Sequence, residues 1–304
     1  MMKHFRSLTA FLDYVQIPRP DHPMLYVLTV KKGEQLPPIR KSSPPIIGDF
    51  YSIILKKDTG CELTYGRTKY DFSNGVLIFL GPRQVLQWND GDIVSQESFM
   101  ITFHEDFLRG TKLAKQINRY GFFSYSANES LHLSPKEEKQ IESIVESIEV
   151  EYRNNQDKFS KEIIISQLST LLRYADRFYE RQFLNRNEIN HSLVEQFYQL
   201  LTEYVEGGEL EENGVPRIGL LADRMLVSQR YLSDMLKKET GKTSTEHLNL
   251  FLINEAKNAL LEPKKSISEV SHELGFSYPS YFSRLFKKIE GISPKEYREM
   301  FSTN

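Results

Sequence analysis

The sequence predicts an α+β chain. A β-rich N-terminal domain ends in a helical pair, and an all-α C-terminal domain follows, with two helix-turn-helix units joined by a long helix. Three observations carry that prediction. The 304 residues exceed what one hydrophobic core usually organises, so two domains are expected. Short β-rich runs separated by turn residues fill positions from about 20 to 105. Near the C-terminus one segment occurs twice, at a fixed offset of 50 residues.

The β-rich runs are Met24–Val30, Asp49–Leu55, Glu62–Tyr65, Gly75–Leu80, Gln84–Trp88 and Phe99–Phe103. Turn signals separate them at Lys57-Asp58-Thr59-Gly60, Ser73-Asn74-Gly75 and Asn89-Asp90-Gly91. Many short strands with such punctuation predict a sandwich or a barrel. The pattern changes at Ser134-Pro135-Lys136-Glu137, which has Ser at N-cap, Pro at the first helical position and Glu as the partner of a capping box. Ile141, Ile144, Val145, Ile148 and Tyr152 follow at helical spacing, and Ile164, Leu168, Leu171, Leu172, Ala175, Phe178 and Tyr179 make a second stripe. Two readings of these stripes stand equally: packing on the barrel, or, for Ile164, Leu168, Leu171, Leu172 and Ala175, a homodimer contact. The polar run 185–190 is expected to be a linker. The domains are then 1–184, with strands over about 20–105 and helices over about 134–184, and 191–304.

Composition bounds the function. Hydrophobic residues at 39% and charged residues at 26% are those of an ordinary globular protein. A single cysteine, Cys61, excludes an intramolecular disulfide and fits a reducing cytosol. The apolar stretch after Arg6 is broken by Asp13, too early for a signal peptide, and no run has the roughly 18 apolar residues of a membrane span. A cytoplasmic location is expected. Net charge is −2, yet from Gly214 onward 14 Lys+Arg stand against 11 Asp+Glu. The excess sits at Lys237-Lys238, Lys264-Lys265 and Lys287-Lys288. Solvated helix ends are the plain explanation of such clusters, so their positions decide their meaning.

Those positions lie inside the repeat. Tyr231-Leu232-Ser233, Leu236-Lys237-Lys238 and Gly241 recur as Tyr281-Phe282-Ser283, Phe286-Lys287-Lys288 and Gly291, and Leu226 matches Phe276 at the same offset. In the first copy Leu220–Arg224 forms a leading helix and Met225–Ser228 a turn. Ser228 caps a second helix, Gln229–Thr240, which stops at Gly241. In the second copy Ser266 and Glu269 form a capping box, Gly275 ends the leading helix, and Ser277-Tyr278-Pro279 opens a helix that stops at Gly291. Two helices about a tight turn can place the second in a DNA major groove. Thr243–Leu261 between the copies contains no Pro or Gly, and Pro263 terminates it. A helix there would be roughly 28 Å long, which suits adjacent major grooves about 34 Å apart.

On these residues, positions of about 191–300 resemble the C-terminal domain of the AraC/XylS transcription regulators. The matching motifs are Leu221-Ala222, Val227-Ser228, Lys237-Lys238-Glu239-Thr240-Gly241, Glu255-Ala256-Lys257, Gly275-Phe276-Ser277, Ser280-Tyr281-Phe282-Ser283-Arg284, Gly291-Ile292-Ser293-Pro294 and Glu296-Tyr297-Arg298. The resemblance implies a DNA-binding transcription regulator that contacts RNA polymerase and activates rather than represses; with the two units and the helical pair it is expected to bind an asymmetric promoter element through two grooves and to work as a homodimer. Leu252 stands where relatives often carry an Arg, so no phosphate contact is expected of it. The segment Asp71–Pro82 resembles a turn and strand of cupin-like N-terminal domains, which implies a barrel able to bind a small effector.

Base-facing candidates are Gln229, Arg230, Ser233, Asp234 and Lys237 in the first unit, and Pro279, Ser280, Ser283 and Arg284 in the second. Arg230 suits guanine, Gln229 adenine or phosphate, and Asp234 a cytosine amino group, unless Asp234 simply pairs with a nearby Lys. Lys238, Lys287 and Lys288 are phosphate candidates. Tyr231, Leu232, Met235 and Leu236, and likewise Tyr281, Phe282, Leu285 and Phe286, are expected in the core. Tyr51, Tyr65, Phe79 and Trp88 are candidates to line an effector pocket, or are ordinary core. No catalytic residue, metal or cofactor is expected: the barrel segment offers only His22 and His104, with no His-x-His pair, against the three ligands a catalytic metal usually takes. Two alternatives to an effector-controlled regulator remain open here. The N-terminal domain serves only for dimerisation, or it is a cupin enzyme fused to a DNA-binding domain.

Overall fold

The structure, a computed structural model, describes residues 3–301 apart from 32–33, 35–41, 58–62, 66–67, 71–74, 89–96, 127–128, 155–156, 186 and 263–264. Cys61, Pro263 and much of the turns expected at 57–60, 73–75 and 89–91 therefore lie outside the described residues, as do the side chains of Tyr65 and Trp88. The chain divides into two compact units, Met1–Asn185 and Arg186–Asn304.

The first unit begins with β1 (Lys3–Phe5) and α1 (Leu8–Val15), neither expected from the sequence. Ser7 caps α1 by accepting the Ala10 N–H, and Leu8, Leu12 and Val15 are buried. The strands that follow are β2 (Leu25–Val30), β3 (Ser43–Gly48), β4 (Phe50–Lys57), β5 (Leu63–Tyr65), β6 (Thr68–Tyr70), β7 (Val76–Leu80), β8 (Leu86–Trp88) and β9 (Glu97–His104). A short α2 (Lys112–Gln116) leads to β10 (Leu131–His132), α3 (Pro135–Arg153) and α4 (Ser160–Asn185).

Among the described residues the strands form a five-stranded sheet in the order β10-β7-β4-β9-β2, a three-stranded sheet β1-β3-β8 and a hairpin β5-β6. Among the described residues the expected barrel does not close. Part of the reason lies in β3, where Pro44 and Pro45 lack N–H donors and the pairing with β8 loses register between Ser43 and Ile46.

Alternation along the large sheet divides its residues between two faces. Tyr51, Ile53 and Leu55 pair with Phe103, Ile101 and Phe99, and Ile53 and Leu55 also pair with Phe79 and Leu77. All are buried. On that face Phe79 meets Phe122 and Tyr179, and Tyr51 meets Phe123 at 4.9 Å. The opposite face receives α1: Phe50 and Tyr26 join Leu8, Leu12, Val15 and Ile17 in one cluster.

This arrangement favours one of the two readings that the sequence left open for each group. Tyr51 (8% exposed) and Phe79 (3%) are core between the sheet and the helices. The cavity beside Phe79 is about 10 Å³, the space of one water. Ile164, Leu168, Leu171, Leu172 and Ala175 are all buried inside the protomer, where α4 packs on α3 and reaches β10. Their stripe is consumed by intramolecular packing and offers no surface to a second copy. Gln182, buried on α4, ties the helix to the sheet: it accepts the His132 N–H at 2.8 Å and donates to the Ser130 carbonyl at 3.1 Å.

In the second unit α5 (Asn187–Glu206) starts one residue after Arg186, so helix occupies most of the expected linker 185–190. Nothing in Asn-Arg-Asn-Glu-Ile-Asn breaks a helix, because it has neither Gly nor Pro. Then come α6 (Glu209–Asn213), α7 (Ile218–Arg224), α8 (Gln229–Thr240), α9 (Ser244–Leu260), α10 (Ile267–Glu273), α11 (Pro279–Glu290) and α12 (Pro294–Phe301). Among the described residues no helix is long and apolar enough to cross a membrane.

Candidate nucleic-acid interface

Helices α7 and α8 form the first helix-turn-helix unit, and α10 and α11 the second. Ser228 accepts the Tyr231 N–H and caps α8, and Gly241 ends it in the left-handed region at φ 78°. Ser266 and Glu269 form the capping box of α10. Pro279 occupies the first turn of α11, and Gly291 ends it at φ 83°. These ends coincide with those read from the sequence, because each is set by residues within one helical turn of it.

The two turns differ in a way the offset of 50 conceals. In the first, the Leu226 N–H donates to Asp223 O and the Val227 N–H to Ala222 O. In the second, the Gly275 N–H donates to His272 O and the Phe276 N–H to Ser271 O. The matching residues in the turns are thus 49 apart, while α8 and α11 begin 50 apart. Leu226 corresponds to Gly275, not to Phe276. Both have positive φ, 58° and 76°. Leu226 is 62% exposed whereas Phe276 is buried. The second turn therefore contains one additional residue, and Tyr278, 71% exposed, stands at the entry to α11.

Each second helix buries one face. Tyr231, Leu232, Met235 and Leu236 of α8 are buried, as are Phe282, Leu285 and Phe286 of α11. Tyr281 is a correction: expected in the core, it is 50% exposed. Its counterpart Tyr231 lies on α8, which packs against α5, whereas α11 packs against α9, α10 and α12.

The candidate DNA residues occupy the other faces. Gln229, Arg230 and Lys237 are exposed, and Ser233 and Asp234 are half-buried. On α11, Ser280 and Arg284 are exposed and Pro279 and Ser283 half-buried. Lys238, Lys287 and Lys288 are exposed in the last turns of their helices. The Arg230 Nε donates to Asp234 Oδ2 at 3.0 Å.

Helix α9, about 26 Å long for its 17 residues, holds the units together. Thr243 and Glu246 cap it reciprocally. Leu252 is buried, which explains how an apolar residue is accommodated there. Lys257 of α9 pairs with Glu290 of α11 at 2.8 Å, and the Arg298 Nε donates to the Leu260 carbonyl at 2.9 Å.

A buried polar relay, not anticipated from the sequence, fastens α9 to α8 and α5. Thr240 Oγ1 donates to Leu236 O at 2.7 Å, so it is free to accept from His247 Nε2 at 2.6 Å. That assigns the proton to Nε2, and Nδ1 then accepts from the Tyr198 hydroxyl at 2.6 Å. The relay uses neutral imidazole. Burial, assisted by Lys242, holds His247 below its ordinary value of 6.5, with Glu246 acting weakly the other way. The unfolded chain thus takes up a proton near 6.5 that the folded unit refuses. Its stability should be intact above that pH and decline as the pH falls through 6.5 toward the folded-state value. Thermal melts of the second unit's transition between pH 7.5 and 5.5 check this, and His247→Gln should flatten the profile.

His22 and His104 have local partners. His22 Nδ1 accepts the Met24 N–H at 3.0 Å and His104 Nδ1 the Asp106 N–H at 3.1 Å. Among the described residues no group of three or more His, Cys, Asp or Glu could hold a metal.

With this geometry in view, residues 221–300 match the family model described as a helix-turn-helix domain. The C-terminal segment thus carries a helix-turn-helix domain. An uncharacterised helix-turn-helix transcriptional regulator of Bacillus subtilis, YisR, is 38% identical over 74 residues, 24% of this chain and 26% of that protein. A regulator encoded in the cgkA 5′ region of Pseudoalteromonas carrageenovora is 38% identical over 77 residues, 25% of this chain and 45% of that protein. The chain therefore spans less than half the length of these two relatives. The transcriptional activator RhaS of Escherichia coli is 24% identical over 258 residues, 83% of this chain and 86% of that protein.

Proposed function

We propose that the chain is a transcription regulator whose AraC-type domain reads an asymmetric promoter element with α8 and α11 in successive major grooves. One observation carries the reading: the two helices bury their apolar faces in a single compact unit and leave their polar and basic faces at its surface. The 17-residue α9 between them has the length to span neighbouring grooves. In this reading Gln229, Arg230, Ser233, Asp234, Lys237, Ser280, Ser283 and Arg284 face bases, with Pro279 at the helix entry, and Lys238, Lys287 and Lys288 neutralise phosphates.

The regulator acts as an activator by contact with RNA polymerase, a reading supported by the likeness to RhaS over most of both chains. The first unit is its regulatory half. An effector would use residues other than Tyr51 and Phe79, and a homodimer would use residues other than the buried stripe of α4. Saturable thermal stabilisation by a candidate small molecule would establish effector control, and a concentration-independent monomer mass would rule out the homodimer.

The first test is retention of a randomised duplex library by the purified chain at two salt concentrations. A motif of two base groups about one helical turn apart is expected. Retention without sequence enrichment, lost at higher salt, would reduce the interaction to phosphate attraction and overturn the proposal. Arg230→Ala should relax preference at one base and cost about 1–3 kcal/mol of binding. An unchanged motif would remove Arg230 from base recognition.

A further inference from the structure

Arg230 and Asp234 lie one turn apart on α8, and the geometry points to their working as a single reading device. We propose that Asp234 is a positioning residue that holds the Arg230 guanidinium in the orientation that reads guanine. This rests on the DNA-reading function proposed above. The contact is specific in kind: the Arg230 Nε donates to Asp234 Oδ2 at 3.0 Å. Among the described residues Nη1 and Nη2 make no hydrogen bond, and the Arg230 side chain is 49% exposed while that of Asp234 is 28% exposed.

A guanidinium has five N–H donors in a rigid plane. Using Nε on one edge fixes the rotation of that plane about the side chain. It leaves the two terminal nitrogens as a fork, the geometry that meets the O6 and N7 acceptors of guanine. A free arginine on a helix surface samples many rotamers and loses that freedom on binding. Asp234 removes part of the loss beforehand. Its position on the helix, four residues after Arg230, makes the pairing intrinsic to α8 and independent of DNA.

The opposite role for Asp234 is a competitor that must be displaced and that repels phosphate. The two roles give opposite signs. If Asp234 positions Arg230, Asp234→Ala reduces the preference for guanine at the Arg230-dependent base by about 5- to 10-fold, a part of what a bidentate pair supplies. Affinity for duplexes of unrelated sequence rises at the same time, because a negative charge is lost. If Asp234 competes, the guanine preference stays or sharpens as specific affinity rises.

The experiment is the randomised-duplex selection with wild type, D234A, D234N, R230A and the R230A/D234A double variant, each first shown to melt like wild type. Asp234→Asn keeps an acceptor and should retain an intermediate preference, a graded rescue that a merely structural role would not produce. In the R230A background, D234A should leave preference at the Arg230-dependent base unchanged, because there the residue acts through Arg230. An enriched wild-type motif whose guanine preference survives D234A overturns the proposal alone. A wild type that enriches no motif overturns the sequence-reading function and this proposal with it.

Discussion

Phe286→Ala will remove a large share of the stability of the C-terminal unit. Phe286 is fully buried on α11 and meets Phe282 at 5.9 Å and Tyr297 of α12 at 5.4 Å, both edge-on. Truncation discards the transfer energy of the ring, leaves a cavity and deletes two aromatic contacts, at a cost of about 3–5 kcal/mol. Domains of this size have only about 5–15 kcal/mol in total. Denaturant unfolding of the full chain, followed by circular dichroism, checks it. The transition of the second unit should move to much lower denaturant while that of the first unit, which has its own core, stays in place. Tyr281→Ala is the companion measurement. Half exposed on the same helix, Tyr281 should cost no more than about 0.5 kcal/mol, like other surface positions. A large loss there would mean that α11 is rotated relative to the arrangement described.

The contrast between those two residues shows what the sequence could and could not reveal. Helix ends in the C-terminal unit were legible because Ser228, Thr243, Ser266, Gly241 and Gly291 act on their own helices within a turn. The exposure of Tyr281 was not legible. Its motif is the same as that around Tyr231, but α8 packs against α5, a partner that no local repeat announces. The unequal turns escaped for a related reason: the identities shared by α8 and α11 fix an offset of 50, and only the hydrogen bonds show that the leading helices and turns run at 49.

In the first unit the long strands were legible from β-branched and aromatic runs. Strand β3, begun by Ser43-Pro44-Pro45, and the eight-residue α1 were not, because each depends on what it packs against. Alternation gave the aromatic positions without saying which face holds a cavity, and Tyr51 and Phe79 proved to be core. The candidate DNA faces were accessible to sequence reasoning for the opposite reason. They are what remains on α8 and α11 once the apolar stripe is assigned. The pairing of Arg230 with Asp234 follows from a spacing of four, but the use of Nε is a matter of geometry.

Gly275→Ala should disturb both stability and the spacing of DNA recognition. Gly275 has φ 76°, and an added Cβ would lie 2.7 Å from the Gly214 carbonyl carbon and from the Val215 nitrogen. Both are backbone atoms that no rotamer change can move aside. The left-handed conformation alone costs an L-residue about 1–2 kcal/mol. Gly241 isolates that share: its φ is 78° and nothing lies within 4 Å of its would-be Cβ. Gly241→Ala should therefore cost the conformational amount and Gly275→Ala distinctly more, as read by unfolding of the same transition. The excess has a structural address. Val215 precedes α7 of the first helix-turn-helix unit and donates its N–H to Gly275 O, in the turn of the second helix-turn-helix unit, at 3.2 Å. With α9, this clasp fixes the first reading helix relative to the second. In a selection with variable spacing between the two base groups, wild type and Gly241→Ala should prefer one spacing and Gly275→Ala should accept several. Equal costs for the two glycines, with one spacing preferred by both variants, would show that the contact at Gly275 yields without consequence and that α9 alone sets the geometry.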